Sequence, residues 1–269
     1  MLSILTALFL GILQGLTEFL PISSSGHLVL AEALLPNLSQ PGVVFEVTLH
    51  IGTLVAVCLY FWKDLWAMVI ALFSPQDDEQ MTNNRWLLWL VILGTIPTGI
   101  IGVLFRKQFE SMFTDLRGAG IWFVITGIML FVTDRVTTKG RQLHEMTIWD
   151  AIVIGIAQGA AIIPALSRSG STIAAGIFLG LDRVLLVRYS FLLSIPAVAG
   201  AFILEVISHR QELLQGFEPL AYGIGTAAAG VVGYWSIAVL LDMTRSRRLS
   251  VFAYYCVIIG IIAFLFASK

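Results

Sequence analysis

The stretch Gln14-Gly-Leu-Thr-Glu18-Phe-Leu-Pro21-Ile-Ser23-Ser24-Ser25-Gly26-His27 interrupts an apolar region covering residues 2–35. Proline ends a helix by removing a donor and clashing with the preceding turn, and the serines after it can cap a new one. The region therefore reads as two short helices joined by an irregular turn. A second apolar region, residues 148–181, breaks in the same way at Pro164-Ala-Leu-Ser167-Arg168-Ser169-Gly170. Irregular backbone at membrane depth is tolerated only where protein or an aqueous cavity surrounds it, so both regions are expected to be re-entrant helical hairpins.

Composition supports lipid as the main solvent. Of 269 residues, 58% are apolar and 12% charged, where soluble domains average about 45–50% and 25%. A net charge of −1 argues against a nucleic-acid partner. Cys58 and Cys256 sit in apolar runs with no CxxC pattern and no neighbouring His, and are read as lipid-facing or packing residues. The first residues, Met1-Leu-Ser-Ile-Leu, lack the positive charge and cleavage site of a secretory signal and are read as retained structure. Apolar stretches near the length of about 20 residues that crosses a bilayer fall at 43–62, 86–105, 119–135, 186–207, 219–241 and 251–267. Polar breaks separate them, among them Ser74-Pro-Gln-Asp-Asp-Glu-Gln, Arg135 to Glu145, His209-Arg-Gln-Glu and Arg245-Ser-Arg-Arg.

A gapless offset of 144 pairs Gly11 with Gly155, Gln14 with Gln158, Gly15 with Gly159, Ser23 with Ser167, Ser25 with Ser169 and Gly26 with Gly170. The chain reads as an internal duplication, about 1–138 and 145–269, within one membrane domain covering 1–269. Each half holds one hairpin and three spans. Three is odd, so the second half enters from the opposite side and the repeats are inverted. The expected fold is an all-α integral membrane protein with six transmembrane helices and two re-entrant hairpins. Lys63, Arg85, Arg135, Lys139, Arg141, Arg183, Arg188, Arg245, Arg247 and Arg248 fall on one side, and Arg106, Lys107, Arg117, Arg210 and Lys269 on the other. The richer side is expected to be cytoplasmic, which places both termini and the first hairpin outward.

Gln14 and Glu18 are four apart and share a helix face. An unpartnered charge at the bilayer centre costs about 2.5–3.5 kcal/mol on translocon scales, so Glu18 and Arg168 need each other, water or a ligand. Helix starts after Ser23-Ser24-Ser25-Gly26 and Ser167-Arg168-Ser169-Gly170 offer free N–H groups and a positive dipole end, a recipe for holding phosphate. Arg168 adds a two-pronged donor. A hydroxyl among Ser23, Ser24 and Ser25 could attack phosphorus, His27 could carry the proton, and Glu18 with Gln14 could hold a divalent cation, Mg2+ or Ca2+.

Plainer readings stand beside these. Serines at helix starts are commonly caps, and a histidine beside an apolar helix is commonly a satisfied core group. The glycines of Gly11-xxx-Gly15, Gly155-xxx-Gly159 and Gly176-xxx-Gly180 are read as helix-packing contacts. Asp77, Asp78 and Glu79 read as a solvated face, and Glu46, His50 and Glu205 have no assignment from sequence.

Gln14-xxx-Glu18 followed by Pro21-Ile-Ser-Ser-Ser-Gly-His27, together with Pro164-Ala-Leu-Ser-Arg-Ser-Gly-Ser-Thr172, closely resembles the bacitracin-resistance type of undecaprenyl-diphosphate phosphatase over essentially the whole chain. The resemblance implies hydrolysis of undecaprenyl diphosphate to the monophosphate at the outer face of the inner, or plasma, membrane. That reaction recycles the carrier lipid for peptidoglycan synthesis, and resistance follows from depleting the drug's lipid target. Carried over, the acidic motif falls on Gln14 and Glu18 and the first hydroxyl run on Ser23 to His27. The second run falls on Ser167, Arg168, Ser169 and Thr172. Catalysis is thus expected from Glu18, Ser24, His27 and Arg168, and substrate binding from Ser23, Ser25, Gly26, Ser167, Ser169 and Thr172. Where the family has Gly after the motif proline this chain has Ala165, whose turn should be right-handed or extended, or else slightly strained. The expected partners are the polyprenyl diphosphate lipid and the bilayer, and a homodimer is allowed. A transporter or flippase for a polyprenyl phosphate lipid is the rival, because broken helices in inverted repeats are also a carrier design.

Overall fold

A computed structural model of the chain describes residues 2–34, 42–75, 78–137, 139–208 and 218–267. Of the polar breaks and basic residues named above, Gln76, Asp77, Thr138, His209, Arg210, Gln211, Glu212 and Lys269 lie outside the described residues. The described chain is helical, with no β-strand. Both broken regions are helix pairs: α1 (Ile4–Phe19) with α2 (Ser24–Leu34), and, after the intervening helices, α8 (Ile148–Ala160) with α9 (Arg168–Phe178). Between the pairs lie α3 (Gly42–Tyr60), α4 (Trp62–Phe73), α5 (Glu79–Leu104), the short α6 (Arg106–Met112) and α7 (Leu116–Arg135). After α9 come α10 (Arg183–Ser208), α11 (Pro219–Arg245) and α12 (Ser250–Phe266).

Helices α5, α7, α10 and α11 are long and apolar enough to cross a membrane. Phe45–Tyr60 and Trp62–Phe73, bent by 69° at Phe61, make a fifth span if taken together. At 17 residues α12 is shorter. Large apolar side chains point outward all round, among them Phe73, Trp149, Trp235 and Ile258, an arrangement suited to lipid rather than water.

Polar side chains set the helix starts. Ser3, Asp78, Asp115 and Ser167 each accept from an N–H three residues on, satisfying one orphan donor apiece. Thr147 and Asp150 form a reciprocal capping box at the start of α8. Arg141 fastens the same end through Asp150, the Glu145 carbonyl and the Leu179 carbonyl.

The hairpin helices pack crosswise. Helix α1 lies along α11, where a Cβ at Gly11 would fall 2.3 Å from the Gly225 carbonyl oxygen. Helix α8 lies along α5, where a Cβ at Gly155 would fall 2.1 Å from the Gly94 carbonyl oxygen. Helices α7 and α12 meet through Gly120 and Gly260, each against the other's carbonyl, and α3 packs on α10. Of the glycines expected to mediate packing, Gly11, Gly15 and Gly155 meet the backbone of a neighbouring helix, Gly159 and Gly176 meet the side chains of Ile101 and Leu186, and Gly180, at φ 84, closes the end of α9 instead; backbones approach closely where no side chain intervenes.

Candidate active site

The two turns meet at Gly26 and Ala165. A Cβ on Gly26 would lie 2.7 Å from the Ala165 Cβ, so only glycine lets α2 approach the second turn. Ala165 has φ 67 and Ser23 has φ 66. Of the alternatives open for Ala165, the strained one is realised, at roughly 1–2 kcal/mol for a left-handed alanine. The neighbouring contacts hold it there. Ala165 is fully buried, its carbonyl accepts from the Thr126 hydroxyl at 3.0 Å, and the Ser167 N–H donates to the same hydroxyl oxygen at 3.2 Å.

This junction brings the first residue of each second helix to Glu18. Ser24 donates from Oγ to Glu18 Oε2 at 2.6 Å, and Arg168 Nη2 pairs with Glu18 Oε1. Gln14 Nε2 donates to Oε2 at 3.0 Å from one turn back on α1. Glu18 is buried, so its charge is tolerable only because guanidinium, amide and hydroxyl surround it. Ser24 and Arg168 are partly exposed and open the cluster around the buried carboxylate. The first-turn N–H groups of α2 and α9 have no intrahelical acceptor and lie at the same junction.

The other expected residues take different places. His27 is buried; its Nδ1 donates to the Ser23 carbonyl at 2.7 Å and its Nε2 accepts from the Tyr255 hydroxyl at 2.7 Å. The ring also stacks on Tyr255 and meets the edge of Phe123. Ser23 and Ser167 are caps for the N–H groups of Gly26 and Gly170. Each of their hydroxyls also lies beside the serine two residues on, Ser25 at 3.2 Å and Ser169 at 3.4 Å. Thr172 is fully buried and turned toward α10, with its hydroxyl 2.6 Å from that of Ser190.

One residue at the cluster has no assignment from sequence. His50, on α3, places Nε2 3.8 Å from Glu18 Oε2 while its Nδ1 donates to the Glu46 carbonyl at 2.9 Å. The available signal was an ionisable residue at membrane depth. Spacing alone could not connect residue 50 with residue 18.

The arrangement suits attack on a phosphoryl group. One hydroxyl is hydrogen-bonded to a carboxylate able to take its proton, beside a guanidinium and two helix N-termini suited to a polyanion. Comparisons with known proteins agree in kind. Residues 7–262 match the family described as Bacitracin resistance protein BacA. A protein of Halothermothrix orenii named undecaprenyl-diphosphatase is 42% identical over 267 residues, covering 99% of both chains. Proteins of the same name from Methanosphaera stadtmanae and Treponema denticola are 42% and 39% identical, covering 97% of this chain in each case and 97% and 96% of their own.

Proposed function

The chain belongs to the bacitracin resistance protein BacA family, and we propose that it hydrolyses undecaprenyl diphosphate to undecaprenyl phosphate and inorganic phosphate. The observation that carries this reading is Glu18 receiving Ser24 from the first hairpin on one oxygen and Arg168 from the second on the other.

In the proposed reaction Arg168 and the N-termini of α2 and α9 hold the diphosphate. Ser24 passes its proton to Glu18 Oε2 as Oγ bonds to the terminal phosphorus, and the bond from that phosphorus to the bridging oxygen breaks. Undecaprenyl phosphate leaves with the bridging oxygen. Water then attacks the phosphoserine as Glu18 returns its proton to the leaving serine oxygen, and both protons of the water depart on the inorganic phosphate, which restores Ser24 and the Glu18 carboxylate. His27 holds the turn through Ser23 in this scheme rather than reaching the phosphate. In-line phosphoryl transfer depends mainly on positioning and charge stabilisation, which hydrogen bonds and an ion pair on a buried carboxylate supply.

A divalent cation fits the donor set. Among the described residues no three His, Cys, Asp or Glu side chains stand together as a metal cluster, so the ion would rest on Glu18 with the amide oxygen of Gln14. That oxygen is buried without a hydrogen-bond partner. A bound Mg2+ or Ca2+ would neutralise charge on phosphate oxygens.

The proposed setting is six spans in two inverted repeats within the plasma membrane, with the site open to the outside. The crosswise packing of α1 on α11 and α8 on α5, with α7 against α12, supports the repeat, because a pseudo-twofold axis would exchange these contacts. The Lys and Arg distribution supports the orientation. A cysteine at position 78 should be labelled only after permeabilisation, and labelling in intact cells contradicts the orientation. For the activity itself, purified protein should release phosphate from undecaprenyl diphosphate. Translocation of the lipid without phosphate release would favour the carrier reading instead.

A further inference from the structure

The separation of His50 from Glu18 carries a consequence for the cation. At 3.8 Å the Nε2 to Oε2 gap is too long for a hydrogen bond. Two ligands on one ion, each about 2.0–2.2 Å from it, stand about 3–3.5 Å apart, so the pair needs only a small closure to share a cation. The imidazole is already oriented for this. Its Nδ1 donates to the Glu46 carbonyl, which fixes the tautomer with the lone pair on Nε2, the device that aligns histidine ligands in metal sites. An independent observation points to the same place. Gln14 is fully buried and its Oε1 has no partner, while its Nε2 lies against the very Glu18 oxygen that faces His50. A buried amide oxygen left bare is costly, and turning the Gln14 amide over, so that Oε1 takes the place of Nε2 beside Glu18, would bring that oxygen to a cation shared with Glu18 Oε2 and His50 Nε2.

We infer that His50 Nε2 is a direct ligand of the divalent cation, completing a mixed nitrogen and oxygen set with Gln14 and Glu18. The inference rests on the cation of the reading above and extends it. Arg168 occupies the other Glu18 oxygen and offsets its charge, so the ion draws its remaining ligands from the diphosphate and water, as phosphate-bound cations commonly do. A nitrogen donor favours later first-row ions over Mg2+ and Ca2+. The site should therefore bind Co2+ more tightly than Mg2+.

The test uses full-length protein in detergent with Mn2+ as the probe and methylenediphosphonate as a non-hydrolysable diphosphate. Electron spin-echo spectra of wild type should show modulation from a directly bound imidazole nitrogen, and His50→Gln and His50→Ala should abolish it. The preference for Co2+ over Mg2+, read by competition against Mn2+, should fall about tenfold or more in His50→Gln. Absence of Mn2+ binding or of nitrogen modulation in wild type, or its persistence in either variant, overturns the assignment. Phosphate release from undecaprenyl diphosphate is measured separately. Activity retained in a wild type without nitrogen modulation removes the His50 ligand but leaves the phosphatase reading standing.

Discussion

The two hairpins share one frame and differ in what they carry. Ser23 and Ser167 each cap a helix through the N–H three residues on, and each turn is fastened by a helix from the other half. Tyr255 of α12 reaches the first turn through His27, and Thr126 of α7 reaches the second directly. The offset of 144 carries Ser24 onto Arg168, so the residue that follows each cap converges on the same carboxylate from two directions. The same offset carries Glu18 onto Ile162 and His50 onto Ser194. Gln14 and Gln158 match, yet Gln158 donates to Thr98 Oγ1 and the Leu193 carbonyl where Gln14 donates to a carboxylate. The two turns thus share a scaffold. Chemistry is divided between them, with the acid and the hydroxyl in the first and the guanidinium in the second.

This division can be broken at Ser24. Replacing it with alanine removes the proposed nucleophile and should lower phosphate release by about a thousand-fold or more, whereas Ser25→Ala, at a hydroxyl that lies beside that of Ser23, should stay within about threefold of wild type. Equal losses from the two would move the nucleophile away from Ser24. A smaller effect is expected at the staple from α12. Tyr255→Phe removes one hydrogen bond to His27, worth about 1 kcal/mol, and should reduce turnover no more than about tenfold, with a lower melting temperature. Unchanged melting together with a loss as large as that of Ser24→Ala would instead place Tyr255 and His27 in the chemistry. The smallest change is expected for Ala165→Gly. It relieves roughly 1–2 kcal/mol of left-handed strain, but gives back about 0.8 kcal/mol by removing a buried methyl and more through chain entropy. Stability should therefore move by less than about 1 kcal/mol and activity should hold. A tenfold loss would show that the methyl against Gly26 positions the two turns.

Much of this was legible from residues alone. Pro21 and Pro164 followed by serines and glycine mark helix breaks because their causes are local, and a pair of helices meets at each of those breaks. The six apolar stretches each coincide with a helix. The cost of isolated charge in lipid required that Glu18 and Arg168 meet each other, water or a ligand, and the structure pairs them with each other. Other features arise from tertiary contact and have no local signature. The 69° bend at Phe61 lacks the proline that usually announces one. His50 reaches Glu18 only because α3 passes the hairpin, and His27, though it follows the serine run, is turned toward Tyr255 by a helix more than 220 residues away. Thr172 follows Arg168 by one helical turn, but its hydroxyl donates back to the Arg168 carbonyl and lies beside that of Ser190 on α10.

The central claim is that Glu18 of one hairpin and Arg168 of the other act as a single unit, and a double-mutant cycle on phosphate release from undecaprenyl diphosphate tests it most directly. Glu18→Gln and Arg168→Lys keep the shapes while weakening the charge or the fork geometry, and should leave measurable rates. If the two groups work together, the double variant should be little slower than the worse single variant, because the second change removes a partner already disabled. Losses that simply multiply would mean that the carboxylate and the guanidinium act independently, and that the meeting of the two hairpins is not where the reaction is carried out.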